Sequence, residues 1–175
     1  MKRAAKFEDL FHESLANLYD AEKQIAAATP KLIAAASSEE LSGALAEHLQ
    51  ETRKQVARLE TIFEEIAQEP GGRTCPGMQA LLDEAARAIE ELEKSPALDI
   101  ALIAAARKVE HYEIAAYSAV CGLAEILGMQ AAFGMLEETL DEETAADEGL
   151  EELSEAILSG DTVELEEESE DEEVG

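Results

Sequence analysis

The 175-residue chain has no tryptophan, three tyrosines and four phenylalanines, so a folded core here has to be built from aliphatic side chains. Sheets favour aromatic and β-branched residues, whereas Ala, Leu and Glu, in which this chain is rich, favour helix. Basic residues are also scarce: 13 against 41 acids, a formal net charge of −28. Too few cations remain to neutralise phosphates, which argues against a nucleic-acid partner. No apolar run is long enough to cross a bilayer, and the start, MKRAAKFEDLFHE, carries charges where a signal peptide needs its apolar stretch. The expectation is a cytoplasmic protein with no membrane partner. The two cysteines, Cys75 and Cys121, match no zinc spacing and are expected to be reduced.

The acids are spread over the whole chain. The stretch from Asp161 to Gly175 holds nine acids and no base, yet removing it leaves 32 acids against 13 bases, a net −19 on the body. Such a surface resembles that of halophilic proteins, in which concentrated salt mutes self-repulsion. Residues 161–175 read as a disordered, solvating tail following a single domain over residues 1–160.

Apolar periodicity predicts an all-α protein. Phe7, Phe11, Leu18, Ile25 and Leu32 are spaced for one face of a helix from about Lys6 to Ala36, with Pro30 as a candidate kink. Ser37-Ser38 supplies a cap, and a second helix carries Leu41, Leu45, Leu49, Val56, Leu59, Ile62 and Ile66 before stopping at Pro70-Gly71-Gly72. Residues 70–77 look extended, Met78 to Lys94 form a short helix, and Ser95-Pro96 opens a long one ending at Gly128. A last helix runs from about Gln130 to Leu158, with Ser159-Gly160 as its stop. Two tight hairpins joined by a long crossover with a short extra helix are the chain order of ferritin-like four-helix bundles.

Four carboxylates stand near the middle of the four long helices: Glu22, Glu51, Glu113 and Glu143. Each lies about thirteen to fifteen residues from its hairpin, or about 21 Å at 1.5 Å per residue. With the hairpins at opposite ends, mid-helix is the depth at which all four can meet. Glu22, Glu113 and Glu143 share stripes with core residues, whereas Glu51 flanks its stripe and lines up with His48 and Gln55. Glu110, one turn before Glu113, and Asp147, one turn after Glu143, are further candidate ligands, and His48 stands open between metal ligand and core histidine. His12 and His111 read as surface residues, and Tyr19, Tyr112 and Tyr117 as packing residues or as donors to the carboxylates.

Anions at about 4 Å repel by roughly 4 kcal/mol per pair even at an effective dielectric near 20, so such a cluster needs cations or protons. Oxygen-rich ligation with one or two imidazoles suits two iron or manganese ions per chain, and redox chemistry toward dioxygen or peroxide, of ferroxidase or peroxidase type, follows as the functional expectation. The competing reading is a structural or stress-related interaction protein with a vestigial metal site. A homodimer is expected in either case. No nucleophile–base constellation, phosphate loop or zinc motif is present.

The segments LYDAEKQ (18–24), EHLQETRKQVARLE (47–60), CPGMQALLDEA (75–85), KVEHYEIAAY (108–117) and LEETLDEETAADEGL (136–150) resemble the YciF-type ferritin-like proteins. The likeness spans about residues 7–158, and CxGM and VEHYEIAAY are its most specific parts. Members are stress-associated proteins of bacteria and archaea. The resemblance implies a di-metal site with Glu22, Glu51, Glu113 and one of Glu142 and Glu143 as ligands, accompanied by Glu110 and Asp147. Ferritin-like sites usually draw Glu-x-x-His from two helices, whereas this chain offers His48-x-x-Glu51, Glu110-x-x-Glu113 and Glu143-x-x-x-Asp147.

Overall fold

Several helix ends of this chain lie where local chemistry dictates, as a computed structural model of the protein shows; it describes residues 6–172, with side chains described for 6–160. The elements are α1 (Phe7–Ala35), α2 (Glu39–Glu65), α3 (Pro76–Glu91), α4 (Pro96–Ile126) and α5 (Gln130–Glu172). Ser38 caps α2 by accepting from the Leu41 amide at 3.0 Å, and Ser95 caps α4 by accepting from the Leu98 amide at 3.3 Å, with Pro96 in the first turn. Gly128, at φ +71°, makes the tight turn between α4 and α5. Helix α2 ends differently, on Ala67 at φ +53°, a left-handed position that costs a side chain about 1 kcal/mol or more.

The four long helices form a ring in which α1 packs on α2, α2 on α5, α5 on α4 and α4 on α1, while α3 lies outside against α1 and α4. Two apolar clusters fix the directions. One joins Phe11 and Leu15 near the start of α1 to Ile62 and Phe63 near the end of α2, Val120 and Ala124 late in α4, and Leu136 early in α5. The other joins Leu32 at the end of α1 to Leu41 at the start of α2, Leu98 and Leu102 early in α4, and Leu150 late in α5. The two hairpins therefore sit at opposite ends, and the chain from α2 to α4 must cross the length of the bundle. This is the ferritin-like four-helix bundle that the sequence predicted.

Helix α1 runs through Pro30 to Ala35, the span expected of it. Two local expectations change. Phe7, placed on the core stripe by spacing, is 56% exposed, because burial by the neighbouring helices begins at Phe11. Helix α5 does not stop at Ser159-Gly160 but continues to Glu172; a glycine costs a helix only about 1 kcal/mol and is a weak stop by itself. Side chains 161–175, where the solvating tail was expected, lie outside the described residues, as does the backbone of 173–175.

Candidate metal centre

Between the two apolar clusters the bundle turns polar. Glu22 of α1, Glu110 and Glu113 of α4 and Glu143 of α5 are all buried there, with Thr52 and Gln55 of α2 beside them. His48, Glu110, Glu113 and Glu143 each offer a ligand atom, and these atoms lie within 4.8 Å of one another. The imidazole Nε2 of His48 is 3.5 Å from Glu110 Oε1 and its Nδ1 is 4.0 Å from Glu51 Oε2. The Tyr117 hydroxyl, itself fully buried, donates a short hydrogen bond to Glu22. Gln55 donates to Glu143, and through the same amide nitrogen to Glu142 at 3.0 Å. Arg58 grips Glu142 with both terminal nitrogens. Helix α2 thus reaches into α5 by an amide and a guanidinium that together fix where the Glu143 carboxylate sits.

Charge is the difficulty of this arrangement. Unit charges at 4.8 Å repel by roughly 3–4 kcal/mol per pair at an effective dielectric near 20. Burial pushes the carboxyls of Glu22, Glu110 and Glu113 well above the usual carboxylate range, and neighbouring acids add to it: Glu143 for Glu22 and Glu110, Glu22 for Glu113. Burial and the Glu22 charge likewise push the Tyr117 phenol well up, keeping it a neutral donor. Even so, Glu22 Oε2, Glu110 Oε2, both oxygens of Glu113, Glu143 Oε2 and both nitrogens of His48 find no hydrogen-bond partner among the described residues. Buried acceptors are rarely left so, and each costs about 1–3 kcal/mol or more when charged. The donor set, carboxylate oxygens with one imidazole, is of the kind that suits iron or manganese. Four carboxylates also balance two divalent cations in charge. The residues present fit divalent metal.

A family model described as a domain of unknown function, DUF892, matches residues 6–162. The chain belongs to the DUF892 family, that of YciF. Protein YciF of Escherichia coli K12 is 45% identical over 148 residues, covering 84% of this chain and 89% of that protein. The crystal structure of the E. coli stress protein YciF superposes with a TM-score of 0.86 at 43% identity, covering 89% of this chain and 99% of that one. YcfI of Rhodopseudomonas palustris, for which a structural role has been suggested, superposes with a TM-score of 0.80 at 41% identity, covering 84% of this chain and 94% of that one.

In this member of the DUF892 family, the structure gathers Glu22, His48, Glu110, Glu113 and Glu143 from the predicted set but leaves Glu51, Glu142 and Asp147 outside it. The reason in each case is rotation about a helix axis, at about 100° per residue. On α2 the inward positions are Thr52 and Gln55, so Glu51, with its side chain 40% exposed, points along the flank toward His48. On α5, Glu143 points inward and Glu142, one residue earlier, turns to Arg58, whose hydrogen bond together with that of Gln55 outweighs burial and holds its carboxyl below the usual range. Asp147 lies at the edge, held low by Arg107 at 2.8 Å.

Of the remaining candidates, His111 is exposed, its Nε2 3.6 Å from Asp147, whereas His12 is half-buried with its ring edge on Phe63. Both cysteines are free and buried. Cys75 Sγ sits 3.0 Å from the Tyr112 hydroxyl, and a Cβ on Gly77 would come within 3.2 Å of the Tyr112 ring. The CxGM turn and the VEHYEIAAY helix are therefore two sides of one contact. Sequence reasoning missed the clamps Arg58 and Arg107, since nothing local marks partners 84 and 40 residues away. Gln55 carried a signal: it follows His48 by two helical turns on the same inner stripe.

Proposed function

We propose that this chain is a ferritin-like di-metal protein that binds iron or manganese in the bundle core and takes part in redox chemistry toward dioxygen or peroxide. The observation that supports it is the set of buried carboxylate oxygens, contributed by three helices, that find no donor among the described residues. Glu22, Glu110, Glu113, Glu143 and His48 would hold the ions. Bound iron or manganese supplies one-electron redox chemistry and reactivity toward dioxygen or peroxide. The chain's own residues do the rest. Tyr117 orients Glu22 and can hold a proton at its phenol oxygen beside the site. Gln55, backed by Arg58 and Glu142, orients Glu143. The apolar clusters above and below, with Leu59 and Leu136 on one side and Leu45 and Leu102 on the other, exclude bulk water. Purified protein loaded with ferrous iron under reducing conditions and then exposed to peroxide tests the reading: an absorbance change that Glu22→Ala/Glu113→Ala abolishes supports it, and no change in the wild-type protein refutes it.

A second reading, a structural or stress-related interaction protein with a vestigial site, draws on the suggested role of the R. palustris relative. It requires that Glu22→Ala/Glu113→Ala leave stress survival of a deletion strain fully restored.

A further inference from the structure

We propose that the groove between α2 and α5 is the port through which divalent cations reach the buried carboxylates. This rests on the metal-centre reading above and adds the route to it. The groove encloses about 550 Å³ and is floored by His48 and Glu110. A divalent cation with six waters, at about 30 Å³ each, takes up about 180 Å³, so it fits with its hydration shell intact. The other sizeable grooves described, beside the start of α1, around the α2–α3 connection and beneath α3, touch none of Glu22, Glu110, Glu113 or Glu143.

The floor is what ties this groove to a cation. Glu110 is 2% exposed, lines the groove, and keeps an oxygen with no hydrogen-bond partner among the described residues; His48 beside it has two such nitrogens. No side chain fills the groove at residues 145 and 149, one turn apart on α5, which are alanine and glycine; a Cβ on Gly149 would meet nothing within 4 Å. Of the acids that line the groove, Glu138 and Glu142 are taken up by Arg58, whereas Glu47 and Asp141 are exposed and make no ion pair among the described residues. The open rim charge is therefore negative, which concentrates cations and turns anions away. Glu51 stands between rim and floor, 4.0 Å from His48 Nδ1. Its place on the flank, unsuited to completing the buried set, suits a carboxylate that receives the incoming ion and passes it to His48 and Glu110.

The test uses manganese(II) alone, with free ion followed in a stopped-flow instrument by a fluorescent chelator and bound ion released into excess chelator. Ala145→Leu/Gly149→Leu fills the groove while raising helix propensity on balance, through loss of the glycine, and Glu47→Gln/Asp141→Asn removes the rim charge. The filled variant should load at least about tenfold more slowly, and release more slowly by the same factor, so that stoichiometry and equilibrium affinity stay at the wild-type level. A variant that merely damaged the site would instead release faster and bind less, which would overturn the proposal. The rim variant should load about threefold more slowly at low salt and at the wild-type rate in 0.5 M salt, where the screening length is only a few ångströms. If the wild-type chain loads and both variants load at its rate, the port is wrong and the site stands. If the wild-type chain takes up no manganese and no iron, the site and its port fall together.

Discussion

Replacing Glu113 by glutamine should make the metal-free protein more stable and the metal-loaded protein less so. Glu113 is fully buried, with neither carboxylate oxygen hydrogen-bonded among the described residues, and lies in a set of ligand atoms within 4.8 Å of one another. Glutamine keeps the shape and removes the charge. Because burial and the charges of Glu22 and Glu143 raise the Glu113 pKa in the folded state, its unfavourable contribution is absent below the unfolded value, near pH 4.3, and grows as pH rises toward the folded one. Each unit of upward shift is worth about 1.4 kcal/mol, and relaxation of the neighbouring acids by proton uptake limits the total. A net gain of roughly 1–3 kcal/mol at pH 8, falling toward zero at pH 4.5, is expected for Glu113→Gln in chelator, or about 2–10 °C in Tm for a domain of this size. With manganese at about a thousand times its Kd the wild-type chain gains about 4.1 kcal/mol by mass action, more than the largest advantage expected for the variant, which loses that binding, so the order of stability inverts. Thermal melts followed by circular dichroism at both pH values, with chelator and with metal, measure all four states. A variant less stable than wild type in chelator at pH 8, or a difference that does not change with pH, would refute the electrostatic reasoning.

Other consequences concern the frame that holds the site. The Asp99 carboxylate, buried in the first turn of α4, accepts from the Ser37 and Ser38 amides at 2.6 and 2.9 Å and from the Ser37 hydroxyl, tying the α1–α2 turn to α4. Asp99→Ala leaves those donors unpaired and should cost about 2–4 kcal/mol in a urea melt; a loss below about 1 kcal/mol would mean that water replaces the carboxylate fully. Ala67→Gly relieves the left-handed position that ends α2 and should raise stability by about 0.5–1 kcal/mol, and a loss there would show that the Ala67 methyl packs usefully.

Depth along the helix axis proved legible in the sequence, and rotation about it less so. Counting residues from the two hairpins placed Glu22, Glu113 and Glu143 at one level, because helical rise is uniform and the turns at Ser37-Ser38 and Gly128 are marked by their own chemistry. The same counting cannot separate Glu142 from Glu143, which share a level and differ only in direction, and it gave Glu51 a place that Thr52 and Gln55 take. Interhelical pairing was not legible at all. Among 41 acids, nothing local identifies Glu142 as the partner of Arg58 or Asp147 as that of Arg107. The family resemblance supplied the CxGM turn as a motif, and only the contact between Gly77 and Tyr112 gives it a physical reason.

Metal content and position can be measured together. Protein expressed with iron and manganese available, purified without chelator, analysed for elements and crystallised for anomalous scattering should carry about two ions per chain, both among Glu22, His48, Glu110, Glu113 and Glu143, and both lost in Glu22→Ala/Glu113→Ala. Fewer than one ion per chain under metal-replete, reducing conditions, or scattering peaks confined to surface acids, would contradict the claim that these buried carboxylates are held together by metal.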